Sequence, residues 1–124
     1  MTVHLDTSVL VDALTGPRRS LDTLVALVEQ GHRVTLSTLV VYEWLRGPRK
    51  TAELAAQEEL FPRDAAVAFG PSEAAEAARL YRSLRRPRGR EIDLAVAACA
   101  LANSAALWTL NRGDFQDIPN LRLM

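Results

Sequence analysis

This sequence predicts an α/β protein, a three-layer α/β/α sandwich around a mainly parallel sheet of four to five strands. Short apolar segments alternate along the whole chain with stretches whose apolar residues recur at helical spacing. Strands separated by helices are not joined by tight hairpins, so they lie parallel, with helices covering both faces. The length, 124 residues, bounds the fold to a single domain, residues 1–124, with one core.

Taken in order, Thr2-Val3-His4-Leu5 reads as a short buried strand, and Thr7 to Leu14 as a helix stopped by Gly16-Pro17. A second helix, Ser20 to Gln30, carries Leu21, Leu24, Val25 and Val28 on one face and ends at Gly31. Val34-Thr35-Leu36 forms the second strand. Ser37 or Thr38 then caps a helix that runs to Arg46 and is closed by Gly47-Pro48. Lys50 to Leu60 is helical. Ala65 to Phe69 reads as a third strand, which Gly70-Pro71-Ser72 turns into an alanine-rich helix. That helix has Glu73 and Glu76 early and Arg82, Arg85 and Arg86 late, the charge order its dipole prefers. Beyond Pro87 and Gly89 another helix spans about Glu91 to Asn103. Ala106 to Leu110 is the fourth strand, and Leu121-Arg122-Leu123 is a candidate fifth.

Fifteen Lys and Arg balance fifteen Asp and Glu, so the chain has no bulk positive field with which to coat a polyanion. A nucleic-acid partner must be held by a local patch or through metal ions. Cys99, the only cysteine, rules out an intrachain disulfide and lies in the apolar run Ala97-Ala98-Cys99-Ala100-Leu101, which reads as buried and inert. No apolar run approaches the ~20 residues that span a bilayer, and no signal peptide precedes the first strand. The expectation is a soluble, cytoplasmic protein.

Function in open parallel sheets sits beyond the carboxyl ends of the strands. Asp6 directly follows the first strand, and Asn111 and Asp114 follow the fourth. Helices antiparallel to the strands begin at that same edge, which puts Asp93 there, in the first turn of the helix from Glu91. Glu43 lies in the helix after the second strand, within reach of the edge. Each acid alone has a local explanation. Asp6 is a good N-cap, Asp93 suits a helix dipole, Glu43 could border the core, and Asp114 fits a turn. Four together at one edge do not.

Clustered carboxylates repel one another and call for cations. Mg²⁺ fits an all-carboxylate set, because it keeps several waters and takes phosphate oxygens as further ligands. Zinc is poorly supplied, since the histidines are only His4, in a strand, and His32, in a turn. The matching chemistry is phosphodiester hydrolysis with one or two metals aligning the attack and neutralising the leaving oxygen.

Four segments now stand in order: Leu5-Asp6-Thr7-Ser8-Val9-Leu10, Glu43-Trp44-Leu45-Arg46-Gly47, Ile92-Asp93-Leu94-Ala95-Val96-Ala97, and Thr109-Leu110-Asn111-Arg112-Gly113-Asp114-Phe115. Together they resemble the ordered motifs of PIN domains, and most of all those of VapC-type toxins, the ribonuclease halves of toxin–antitoxin pairs. The resemblance spans essentially the whole chain. It implies a Mg²⁺- or Mn²⁺-dependent endoribonuclease in which Asp6 and Asp93 are the firmest metal ligands and Glu43 and Asp114 complete the acidic pocket. Thr7 or Ser8, with Asn111, would hydrogen-bond a water of the metal or a neighbouring carboxylate. It also implies a homodimer, inhibited by a cognate VapB-like antitoxin.

From Arg79 to Arg90 the chain carries six arginines and no acid. Arg86, Arg88 and Arg90, just ahead of Asp93, read as a phosphate track for RNA, whereas Arg82 and Arg85 serve equally well as a solvated helix end. Trp44 and Phe115 are candidates for base contact but fit the core better. Asp12 and Glu91 could extend the acidic cluster, although surface roles suit them more.

A non-catalytic PIN-like module that binds RNA or a partner is the main alternative, and retention of all four acids argues against it. A phospho-receiver would need an acceptor Asp where Gly70 follows the third strand, and a phosphatase of the haloacid dehalogenase type would need Asp where Ser8 stands. Both fail on residues. Asp6→Ala or Asp93→Ala is expected to abolish cleavage and to leave the fold intact or slightly stabilised, since like-charge repulsion is relieved.

Overall fold

The computed structural model describes residues 1–124. The elements are β1 (Thr2–Leu5), α1 (Thr7–Leu14), α2 (Leu21–Glu29), β2 (Arg33–Thr35), α3 (Thr38–Arg46), α4 (Thr51–Leu60), α5 (Pro71–Ser83), α6 (Glu91–Ala102) and β3 (Ala106–Trp108). Single 3₁₀ turns lie at Arg63–Ala65 and Arg112–Asp114. The three strands form a parallel sheet in the order β2-β1-β3, so the strand that leads to Asp6 is central. His4 is opposite Thr35 on one side and Leu107 on the other.

The α/β architecture with a parallel sheet and flanking helices is as the sequence implies, but two of its five strands shrink to single bridges. The segment Ala65 to Phe69 begins in the 3₁₀ turn and touches the sheet only at Val67, whose N–H donates to the Leu36 carbonyl at 2.8 Å. The reason lies in its neighbour. β2 ends at Thr35 and α3 starts at Thr38, which leaves no edge for a longer pairing. The alanines around Val67 add little β preference. Leu121-Arg122-Leu123 likewise pairs only through Leu123 with Leu107.

The helix signals act as capping chemistry requires. Ser37, not Thr38, caps α3, accepting the Val40 N–H at 3.3 Å. Glu53 and Glu73 reach back to the backbone N–H of Lys50 and Gly70, tying down the starts of α4 and α5. α6 is apolar all round, and every residue from Leu94 to Ala100 is buried. Its small side chains let α5, α3 and β3 approach closely. Cys99 lies inside this helix with its thiol pushed up to about 11 by burial, a chemically quiet group. The core also holds Trp44 and Phe115, 0% and 1% exposed, which removes both from contact with bases.

His4 has an energetic consequence of its own. It is 1% exposed in the central strand, neither ring nitrogen has a partner, and burial lowers its pKa to about 4. The folded protein therefore keeps His4 neutral where the unfolded chain protonates it, and stability falls as pH drops below ~6.5. Between pH 7 and pH 5 this one group is expected to remove about 2 kcal/mol. Urea titrations at both pH values should show the loss in the wild type and a much smaller one in His4→Leu. An equal loss in the variant would clear His4.

Candidate active site

The site grows from the end of the central strand. The Asp6 N–H donates to the Trp108 carbonyl at 2.9 Å, the last rung between β1 and β3. The chain then turns into α1, and the Asp6 carboxylate caps the helix by accepting the Thr7 N–H at 2.9 Å. Its other oxygen accepts from the hydroxyls of Ser8 at 3.0 Å and Thr109 at 2.7 Å. Only 6% of Asp6 is exposed, so these bonds fix its orientation rather than merely solvate it.

Thr7 faces the other way. Its hydroxyl donates to Glu43 at 2.7 Å, pulling the half-buried α3 side chain back to the strand ends. Arg46, one turn on, approaches the other Glu43 oxygen at 3.5 Å. Asp93 enters from the first turn of α6, half-buried, and Asp114 from the exposed 3₁₀ turn after β3. The strand ends and the start of α6 thus bring all four acids to one edge of the sheet.

The electrostatics of Asp93 register that convergence. Its carboxyl is held above the ordinary range, first by burial and then by the negative charges of Asp6, Asp114 and Glu43, with Arg90 opposing them. Ionising all four acids together is therefore costly, and a cation placed among them would be welcome. No three His, Cys, Asp or Glu side chains converge tightly enough to enclose an ion unaided. Mg²⁺ does not need such a cage, because one or two carboxylates and several waters suffice. The donors are all oxygen, His4 is sealed in the sheet and Cys99 in the core. This set fits a hard divalent ion. None of the cavities on the surface is lined by these acids.

Of the polar residues expected to support the acids, Ser8 bonds Asp6 and Thr7 bonds Glu43, whereas the Asn111 side chain makes no hydrogen bond within the chain. Its backbone N–H instead donates to Thr109 at 3.0 Å. Thr109, 2% exposed, is the residue that sequence reasoning passed over. A hydroxyl ending an otherwise apolar strand was the available signal. Asp12 and Glu91 stand apart from the cluster, since Asp12 accepts from Ser20 at 2.6 Å and Glu91 from the Gly89 N–H at 3.3 Å.

The basic segment divides. Arg79 is paired with Glu76 on α5. Arg86 and Arg88 are exposed, their side chains free of ion pairs, on a loop that Gly89 turns with φ +80°. Arg90 is committed elsewhere. Its guanidinium grips both oxygens of Asp117, at 2.8 and 2.6 Å, and donates to the Asp114 carbonyl at 2.9 Å. Asp117 is thereby tied to the turn that carries Asp114.

Comparison with known proteins establishes the family and the fold. The chain belongs to the PIN domain family, whose profile matches residues 3–121. It is of the VapC type. Over 126 aligned residues it is 33% identical to Ribonuclease VapC19 of Mycobacterium tuberculosis, with 95% of each chain covered. Its fold is that of DNA-bound VapBC from Salmonella typhimurium (TM-score 0.82, 19% identity, 100% of this chain and 97% of that one). VapBC2 from Rickettsia felis, bound to a promoter DNA fragment, is similar (TM-score 0.77, 22% identity, 100% and 98%). No helix is long and apolar enough to cross a membrane.

Proposed function

We propose that this protein is a metal-dependent endoribonuclease, the toxin of a toxin–antitoxin pair, acting on RNA in the cytoplasm. The observation that carries the reading is the acidic edge of Asp6, Glu43, Asp93 and Asp114, in which Asp93 resists ionisation first because it is buried and then because three like charges surround it. A protein gains nothing in stability from such an arrangement, and a divalent ion relieves it. Mg²⁺, or Mn²⁺ in its place, would polarise the phosphodiester and supply a nucleophile at neutral pH. By the family resemblance Asp6 and Asp93 would hold it, with Glu43 and Asp114 completing the acidic pocket.

The chain's own groups divide the remaining work. Ser8 and Thr109 keep Asp6 aimed at the edge, and Thr7 keeps Glu43 there. Arg86 and Arg88 would meet substrate phosphates. The relative named as a ribonuclease supports the reaction class, and the similar structures solved as VapBC assemblies support a VapB-like antitoxin as partner. A homodimer is part of the same proposal.

Total RNA incubated with the purified, antitoxin-free protein tests it. Discrete fragments are expected with Mg²⁺ or Mn²⁺ and none with EDTA. Cleavage that persists in EDTA would remove the metal. A folded protein that leaves every RNA intact with either ion would favour a non-catalytic module.

A further inference from the structure

Arg90 stands out because almost all its donor capacity is spent inside the molecule. It is the residue just before α6, three positions ahead of Asp93. Besides its two bonds to Asp117 and one to the Asp114 carbonyl, it donates to the Arg86 carbonyl at 3.2 Å. One planar fork thus joins the loop before α6, the start of α6 and the turn that carries Asp114. The Asp114 carboxylate accepts no hydrogen bond of its own within the chain, so its place depends on how its backbone is held.

We propose that Arg90 and Asp117 form a clamp that sets the Asp114 carboxylate against Asp93 so that the two can share one divalent ion. The inference rests on the metal-site reading above. Both are positioning residues. The clamp is dispensable for folding, because Phe115 and Ile118, 1% and 4% exposed, anchor the same segment in the core. It is also selective in geometry. A guanidinium can bond a carboxylate through two parallel N–H groups and a carbonyl besides, whereas an ammonium cannot hold that plane. Asp117 has a second effect. By pairing with Arg90 it offsets part of the positive charge that Arg90 presents to Asp93 and Asp114, and the edge stays acidic enough to attract an ion. Without Asp117, Arg90 is free to turn to those carboxylates and compete with the metal.

Mn²⁺ titration followed by EPR, with no RNA present, compares the wild type, Asp117→Asn and Arg90→Lys. Each variant is expected to bind Mn²⁺ at least ~10-fold more weakly, in line with lost support of a metal ligand. Amide hydrogen exchange in the metal-free proteins should accelerate over residues 112–118 in both variants, and in Arg90→Lys also over the loop 86–90 that Arg90 holds. If Arg90→Lys matches the wild type in both measurements, charge alone suffices and the clamp is overturned. If both variants keep their Mn²⁺ affinity but lose RNA affinity, Arg90 is a phosphate contact and the clamp is again overturned. A wild type that binds no Mn²⁺ would defeat the metal reading, and unchanged exchange over 112–118 would then defeat the clamp separately.

Discussion

Asp93→Asn is expected to give a protein that folds, is more stable than the wild type without metal, and cuts RNA about a thousandfold more slowly. The activity loss follows from removing one of the two acids proposed to hold the ion, whose Lewis acidity is worth several kcal/mol, or ~10³-fold in rate. The stability gain follows from the sign of the Asp93 shift. Its carboxyl is held above the ordinary range by burial and by Asp6, Asp114 and Glu43, so the folded state binds that proton more tightly than the unfolded chain does. The penalty is absent below the ordinary carboxylate range, grows as pH rises through the raised value and is complete above it. Asparagine cannot ionise and escapes the penalty. In EDTA the variant should therefore melt a few degrees higher at pH 7, and the difference should close in acid. Saturating Mg²⁺ should reverse the order, since ligand at a hundred times its Kd adds about 2.7 kcal/mol to the form that binds it. Thermal melts at two pH values, each with EDTA and Mg²⁺, decide the matter. A variant no more stable than the wild type in EDTA would show that the acids are not crowded, and one that still cut RNA at wild-type rate would remove Asp93 from the site.

What could be read in advance follows from the range over which each signal acts. Asp6 and Asp93 are placed by their neighbours in sequence, one at a strand end and one in a first helical turn, so topology alone carries them to the same edge. Ser37 as a cap and Gly31 as a helix stop are equally local. Thr109 is not local, because its hydroxyl matters only through an oxygen 103 residues earlier. The Arg90–Asp117 pair spans 27 residues, and nothing in the basic run around the arginine signals that partner. Ala65 to Phe69 reads as a strand for its own residues, yet pairing is decided by β2, which ends too soon to receive it. Strand identity is a property of two segments, and a single sequence window displays one.

Asp6→Ala and Asp93→Asn should differ in stability, contrary to the simple expectation that removing either acid relieves repulsion. Asp6 does ease the field at Asp93 when removed, but it is also the cap of α1 and the acceptor for two hydroxyls. Loss of an N-cap costs about 1 kcal/mol. The Thr109 hydroxyl, 2% exposed, would be left with only the Ser8 hydroxyl, 3.4 Å away, in a place water barely reaches, at a further cost of about 1–3 kcal/mol. Net destabilisation of about 2 kcal/mol is expected, a fall in Tm of roughly 8 °C for a domain of this size. Thr109→Val separates the terms, because valine keeps the shape and removes the donor. Once Thr109 is valine, Asp6→Ala no longer strands a buried hydroxyl. The double variant should therefore be at least ~1 kcal/mol more stable than the sum of the two single losses predicts. Losses that simply add would mean that the Asp6–Thr109 bond contributes nothing to the fold, and that Asp6 is held at the edge by its helix cap alone.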